Sequence, residues 1–292
     1  MPVEIDALLP AEIAKRAEEV GARKCTLSFW PLLTLAVLAG AFIALGAMFS
    51  TTVTAGAGGA IPYGVVRLLG GLVFCLGLIL VVVGGAELFT GNALIVMAWA
   101  SGRVTTRQVV RQWAIVYAGN FAGAALTATM VFLSGQYRFG AGVVGMNALE
   151  IARAKTSLGF WQAVWLGILC NTLVCLAVWL CLGARGTADK ILAILFPISG
   201  FVAAGFEHSI ANMYFVPLGL MIRGDEAFLV LIGKRAAEYP SLTWRDFLLG
   251  NLLPVTLGNL IGGVVLVGLV YWFVYLRAET AKPAANGAST AN

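Results

Sequence analysis

Charged side chains are scarce in this 292-residue chain. Lysine and arginine number 19, aspartate and glutamate 14, and 60% of the residues are hydrophobic. Only 11% of the residues are charged, whereas soluble domains carry about 25%. A core cannot hide so much apolar surface from water, which argues against a soluble enzyme, a nucleic-acid-binding protein and a disordered chain. The mean hydropathy of +0.90 favours a membrane protein with lipid as its solvent.

Histidine and paired cysteines are also rare. The chain has one histidine, His208, and five cysteines that form no Cys-x-x-Cys pair. Four of the cysteines lie in apolar stretches, where they are typically small buried hydrophobes rather than metal or redox ligands. We therefore predict no metal, no cofactor and no enzymatic activity.

Long uncharged runs divide the chain into six predicted membrane-spanning segments, because about 20 apolar residues cross a bilayer as a helix. The second and fifth segments are too long and too interrupted for one simple helix. The six segments cover residues 29–66, 68–102, 112–137, 156–184, 191–222 and 247–276.

The flanks of this transmembrane domain, which covers residues 29–277, differ from it in composition. Within residues 1–28, Leu9, Ile13, Ala17 and Val20 recur at helical spacing among charged residues. They predict an amphipathic helix on the membrane surface. Residues 278–292 are rich in small and polar residues and are predicted to be disordered. Six spans put both termini on one side, and the bias of basic residues favours the cytoplasmic face of an inner membrane.

Two related motifs interrupt the second and fifth segments. The second segment contains GGAELFTGN at residues 84–92, and the fifth contains GFEHSIAN at residues 205–212. Segments three and six share Gly-Asn-x-x-Gly, at residues 119–123 and 258–262. The pattern predicts two inverted three-span repeats, each with a broken helix, around a solute site near the bilayer midplane. Unwound backbone is tolerated at that depth only where protein or a cavity surrounds it.

The glutamates of the two motifs, Glu87 and Glu207, are candidates to hold the breaks together. We expect them to accept hydrogen bonds from freed backbone amides and neighbouring hydroxyls, with direct contact to the solute as the alternative. Glycines let the chain leave the helix, and short polar side chains cap restarting helices. The residues with these expected roles are Gly84, Gly85, Gly91, Thr90, Asn92 and Asn212.

His208 lies within the second break, at membrane depth. An ionisable group there indicates a functional site, and imidazole exchanges protons close to neutral pH. Asn171, midway along the fourth segment, is polar at membrane depth and is a candidate to reach His208. Lys155 is either a solvated loop residue or a functional cation.

The two break motifs resemble the two signatures of the formate/nitrite transporter family, and the likeness to its formate-channel branch extends over residues 9–277. The resemblance implies an aquaporin-like homopentamer with one pore per protomer. It implies that Thr90 lies in the loop that breaks the second helix and that His208 is the central histidine. It also makes Lys155 the lysine of the outer vestibule and Asn171 the polar residue near the histidine. The apolar constrictions that it implies are Phe74, Leu78, Leu88 and Phe201.

The resemblance implies a channel for formate, a small monovalent weak-acid anion, and the ionisable residues at membrane depth predict that its transport depends on pH. Lys155 attracts the anion into the vestibule. There the local field and the loss of water raise the proton affinity of the anion. A proton then arrives from His208, or through it from water, and the neutral acid crosses constrictions where a bare anion is strongly disfavoured. Thr90, Asn171 and Glu207 belong to the same relay site.

Other solutes and classes remain open at this point. Nitrite and hydrosulfide are small weak-acid anions like formate. An aquaporin-like channel for neutral solutes would share the inverted breaks, although the sequence has no Asn-Pro-Ala pair. A membrane redox subunit is disfavoured because the chain has no haem or quinone motif.

Overall fold

The computed structural model describes residues 8–59 and 61–280, which form helices joined by short connections. The greater part of the predicted disordered tail lies outside these residues. Short 3₁₀ turns occur at Gly91–Ile95, which leads into α4, at Gln136–Arg138 and at Ala236–Glu238. The helices are α1 Pro10–Cys25, α2 Phe29–Val53, α3 Tyr63–Gly84, α4 Val96–Ala100, α5 Thr106–Leu133, α6 Val143–Thr156, α7 Phe160–Gly183, α8 Thr187–Ala203, α9 Ser209–Arg223, α10 Glu226–Leu231, α11 Asp246–Tyr275 and α12 Arg277–Thr280.

Within the described residues, five helices are long and apolar enough to cross a membrane: α2, α3, α5, α7 and α11. Their lengths run from 22 to 30 residues, and a 20-residue helix already spans about 30 Å. The fold is therefore helical with several apolar helices, as the composition predicts. The predicted fifth segment, residues 191–222, is divided between α8 and α9, which are each shorter than a bilayer is thick.

Glycines bring α2 against α5 and α7 against α11. A Cβ atom at Gly123 would overlap the carbonyl oxygen of Val37, and one at Gly262 would overlap that of Ile168. Small residues at these crossings let two backbones approach closely without a side chain between them. The two Gly-Asn-x-x-Gly motifs therefore serve close helix packing, at matching positions in the two halves of the chain.

The N-terminal helix α1 extends to Cys25 and packs on the protein. A Cβ at Gly21 would lie 3.3 Å from Ile95 Cα, and Arg103 Nη1 lies 3.2 Å from the Glu18 carboxylate. The short helix 91–100 presents an apolar surface that covers the apolar face of α1, while the position of α1 at the membrane surface stays a prediction. The buried residues of that face are Ile13, Ala14, Ala17, Gly21 and Cys25.

Each predicted break begins at a glycine in the left-handed region. Gly85 follows α3 with φ 82°, and Gly205 follows α8 with φ 77°. A side chain strains this conformation, so glycine is the residue that ends a helix there. Gly84 and Gly91, which the sequence also nominates, have no positive φ among the described residues. Gly84 is the last residue of α3, and Gly91 begins the 3₁₀ turn after the break.

Candidate functional site

The first break is held by Asn120 of α5. Its Nδ2 donates to the carbonyl oxygen of Glu87 at 3.0 Å, and its Oδ1 accepts from the amide of Phe89 at 2.9 Å. The amide of Glu87 donates to Leu35 of α2 at 3.2 Å. Buried backbone groups that leave a helix need such partners, and Asn120 supplies two of them from one side chain.

The second break is held in the same way by Asn259 of α11. Its Nδ2 donates to the carbonyl oxygen of Glu207 at 2.9 Å, and its Oδ1 accepts from the amide of Ser209 at 2.9 Å. The amide of Glu207 donates to Leu166 of α7 at 3.3 Å. The asparagine of each Gly-Asn-x-x-Gly motif therefore performs one task in two corresponding places.

The Glu207 carboxylate lies in a dense polar cluster. It accepts from Lys155 Nζ at 2.8 Å, from Asn212 Nδ2 at 2.7 Å and, more weakly, from Asn251 Nδ2 at 3.3 Å. The residue is only 5% exposed, and a carboxylate this deeply buried needs partners that compensate its negative charge. Lys155 is thus the partner of a buried carboxylate and not simply a solvated loop residue.

Glu87 has the matching set of partners. It accepts from Lys24 Nζ at 3.1 Å, from Asn92 Nδ2 at 2.7 Å and from Gln112 Nε2 at 3.3 Å. Sequence reasoning counted Lys24 only as a topology-setting charge and missed this role. The pairing of Lys155 with Glu207 is its counterpart in the second half, and only the repeat could have pointed to Lys24.

The expectation for the two glutamates needs a correction. Their carboxylates accept from side-chain amides and from a lysine, while the freed backbone amides go to Asn120, Asn259 and carbonyl groups of α2 and α7. An ammonium compensates a buried carboxylate far better than a neutral amide does. The glutamates therefore tie α1 and the end of α6 to the breaks.

His208 is fixed at both ring nitrogens. Nδ1 accepts from the amide of Ala211 at 3.1 Å, which makes His208 the N-cap of α9. Nε2 lies 2.9 Å from Thr90 Oγ1. Because a backbone amide can only donate, the neutral ring carries its proton on Nε2 and donates it to Thr90. Within the described residues, the predicted caps Thr90, Asn92 and Asn212 make no capping bond. Thr90 Oγ1 contacts His208, while the two asparagines donate to the glutamates of their own motifs.

Asn171 approaches the same place from α7. Its Nδ2 donates to the carbonyl oxygens of Thr90 at 3.2 Å and of Asn259 at 2.7 Å. Its bonds among the described residues therefore reach His208 only through Thr90. The Oδ1 of Asn171 is buried and has no partner within the described residues, so this side chain retains an acceptor next to the Thr90–His208 pair.

Two cavities lie next to the Thr90–His208 pair, because His208 lines one of them and Gly91, the neighbour of Thr90, lines the other. The Lys155 vestibule is about 500 Å³ and is lined by Lys155, Glu207 and His208. The Lys24 vestibule is about 300 Å³ and is lined by Lys24, Glu87 and Asn92. Each cavity thus holds one lysine–glutamate pair.

The four predicted constriction residues divide between the vestibules. Phe74 and Phe201 line the Lys155 vestibule and pack edge to face, with ring centroids 5.6 Å apart. Leu78 and Leu88 line the Lys24 vestibule. All four are buried, so each vestibule has two apolar side chains in its lining besides its lysine–glutamate pair.

Comparison with known proteins gives consistent results. The family model described as "Formate/nitrite transporter" matches residues 11–273. The chain is 47% identical over 274 residues to "Formate channel FocA" of Escherichia coli (strain K12), covering 93% of this chain and 96% of that protein. It is 40% identical over 265 residues to "Formate channel FocA" of Haemophilus influenzae, covering 90% of this chain and 93% of that protein.

Solved structures agree with these relatives at the level of the fold. A structure described as "Pentameric formate channel with formate bound" matches with a TM-score of 0.81 and 44% identity, covering 85% of this chain and 98% of that one. A structure described as "FNT family ion channel" matches with a TM-score of 0.77 and 28% identity, covering 90% of this chain and 98% of that one.

Proposed function

This chain belongs to the formate/nitrite transporter family of membrane transport proteins, and we propose that it is a channel for formate. The observation that carries the proposal is the buried 2.9 Å contact of Thr90 and His208 between two cavities that each hold an ion-paired lysine. Each vestibule has a lysine that attracts an anion, and the Thr90–His208 pair between the vestibules is uncharged. This arrangement suits a solute that arrives as an anion and crosses as a neutral acid. The similarity to formate channels supports formate as that solute.

We infer six crossings, in which the 91–100 helix completes the second and α9 completes the fifth. The halves then run in opposite directions across the membrane, and the matched bonds of Asn120 and Asn259 support this repeat. We also propose a homopentamer with one pore per protomer, and the similarity to a pentameric formate channel supports the pentamer. With both termini cytoplasmic, the Lys24 vestibule faces the cytoplasm and the Lys155 vestibule faces outwards.

The vestibule lysines attract the anion. The Lys155 ammonium has three N–H donors, and Glu207 takes one of them at 2.8 Å. A formate oxygen can therefore bind Lys155 while Glu207 stays paired. Further passage as an anion is opposed by Phe74 and Phe201, because moving a monovalent ion into such a medium costs on the order of 20 kcal/mol in the idealised limit.

The proton that neutralises formate reaches it through Thr90 in this proposal. Water in the Lys155 vestibule gives a proton to His208 Nδ1, which must first release the amide of Ala211. Nε2 then gives its own proton to Thr90 Oγ1, whose hydroxyl hydrogen passes to the formate oxygen. The ring is left neutral with its proton on Nδ1. It resets when Nε2 takes up a proton from water through Thr90 and Nδ1 releases its proton to the hydroxide left in the Lys155 vestibule, after which the cap of α9 re-forms.

The direct test is solute uptake into proteoliposomes between about pH 6 and about pH 8. We expect saturable formate uptake above that of empty liposomes, rising as the pH falls because the transported form carries a proton. Nitrite uptake that exceeds formate uptake would favour the nitrite alternative. Water permeability without anion flux would contradict the proposal and favour a neutral-solute channel.

A second test removes one vestibule charge. Lys155→Gln should lower formate uptake about tenfold, because the Glu207 carboxylate is then uncompensated and repels the anion. Lys155→Arg, which keeps the charge, should retain most of the uptake. Lys234→Gln is the matched control, since Lys234 forms an exposed pair with Glu238 at 3.1 Å and lines neither vestibule. Equal uptake by all three variants would contradict the role of Lys155.

A further inference from the structure

Arg67 of α3 holds the end of α8 at the wall of the Lys155 vestibule. Its Nε donates to the carbonyl oxygen of Ala203 at 3.2 Å, and its Nη2 donates to that of Val202. These are the last carbonyl groups before the break that leads to Glu207 and His208. The fork of the guanidinium fits two adjacent acceptors in a way that a lysine cannot match.

The position of Arg67 is fixed by close packing of α3 on α8. A Cβ atom at Gly71 would lie 2.6 Å from the carbonyl oxygen of Ser199. Arg67, Gly71 and Phe74 share one face of α3, because they are spaced by four and three residues. Arg67 therefore stands about 10 Å along the helix axis from the Phe74 constriction, on the approach to it.

Among the described contacts, no carboxylate forms an ion pair with the Arg67 guanidinium. Two carboxylates line the Lys155 vestibule. Glu207 is paired with Lys155, and Glu150 accepts from Arg153 Nε at 3.0 Å. The hydrogen bonds of Arg67, in contrast, go to carbonyl oxygens. The two lining cations and the two lining carboxylates balance, but Glu150 is already compensated by Arg153, which does not itself line the vestibule. With Arg153 counted, three cations face two carboxylates, and Arg67 is the cation that gives this vestibule a net positive charge.

The C-terminal end of α8 gives a physical reason for the positive charge of Arg67 at this place. The C-terminus of a helix carries the equivalent of about half a negative elementary charge on its free carbonyl groups. An anion that approaches His208 from this side meets that negative end. Arg67 binds the carbonyl oxygens of the last two residues of α8, and one full positive charge exceeds that half charge.

We propose that Arg67 has two roles in this vestibule: it draws the anion in by its charge, and it positions the chain before His208 by its two bonds. The inference rests on the proposed formate channel. It extends that proposal to a residue outside both break motifs, and the two roles are separable by substitution. Arg67→Gln removes the charge, whereas Arg67→Lys keeps the charge and loses the two-carbonyl fork.

The test is the initial rate of formate uptake into proteoliposomes, measured against formate concentration at low and high ionic strength. For Arg67→Gln we expect the half-saturating concentration to rise about threefold to tenfold at low salt. Its dependence on salt should largely disappear, because the screened charge is gone. For Arg67→Lys we expect a half-saturating concentration and salt dependence close to the unmodified protein, with a lower maximal rate because the break is less well held.

Arg245→Gln is the matched control, because Arg245 is exposed and lines neither vestibule. An Arg67→Gln profile equal to that of this control would overturn the inference. Equal losses of maximal rate in both Arg67 variants, with unchanged half-saturation, would reduce Arg67 to a structural role and also overturn it. If Arg67→Gln does not fold, salt-independent uptake by the unmodified protein would overturn the inference instead. Absence of formate uptake by the unmodified protein would refute the proposed function itself.

Discussion

Replacement of His208 by phenylalanine is expected to lower formate uptake by about a hundredfold and to flatten its dependence on pH. Phenylalanine keeps the ring but removes the Nε2 donor to Thr90 and the Nδ1 acceptor of the Ala211 amide. Loss of one preorganised donor at a reacting site costs about a hundredfold or more in rate. Loss of the helix cap alone costs only about 1 kcal/mol, so the protein should still fold.

The companion variant His208→Gln separates hydrogen bonding from proton exchange. A glutamine side chain still offers an N–H group towards Thr90, but it does not titrate in the working pH range. We expect it to fold like the unmodified protein and to lose the rise of uptake at low pH. Both variants are compared by formate uptake across the same pH range. A pH profile shared by His208→Gln, His208→Phe and the unmodified protein would rule out the relay.

The largest expected loss of stability comes from Asn259→Leu. The substitution keeps the approximate volume but removes three bonds: Nδ2 to the carbonyl oxygens of Gly167 and Glu207, and Oδ1 from the amide of Ser209. Each buried group left unpaired costs about 1–3 kcal/mol. We therefore expect the free energy of unfolding to fall by about 3 kcal/mol or more, read as an earlier unfolding transition in detergent.

The corresponding change in the first half, Asn120→Leu, should have a similar effect. Asn120 also makes three bonds, to Ala36, Glu87 and Phe89. Thr129→Val is the control on the same helix, because Thr129 Oγ1 bonds only within its own turn, to Ala125 at 2.9 Å. A stability loss in the asparagine variants no greater than in Thr129→Val would mean that the breaks do not depend on these side chains.

Much of the site could be predicted from the sequence, because many of its contacts join residues that are close together in the chain. Glu87 and Glu207 each precede an asparagine by five residues, and the structure joins each of these pairs at 2.7 Å. Gly85 was among the glycines expected to let the chain leave the helix, and it follows α3 in the left-handed region. Because the glutamate–asparagine contacts join residues of the same short motif, they can be inferred before the packing of the other helices is known.

Other features depend on residues that are far apart in the sequence. Lys24 reaches Glu87 across 63 positions, and Arg67 reaches Val202 across 135. No local pattern marks Lys24 or Arg67 as different from other basic residues near helix ends. Their roles follow from which helix ends meet, and the contact of α1 with the 91–100 helix depends on the same packing.

The sequence by itself determined that the protein belongs in a membrane, that two of its helices are broken and that His208 lies in one break. Composition decides the first, because scarce charge and long apolar runs have no stable arrangement in water. Local motifs decide the others. The tertiary structure decided the partner of each charge and the proton-bearing nitrogen of His208. Those depend on distances of about 3 Å between groups on different helices, which only the packed bundle fixes.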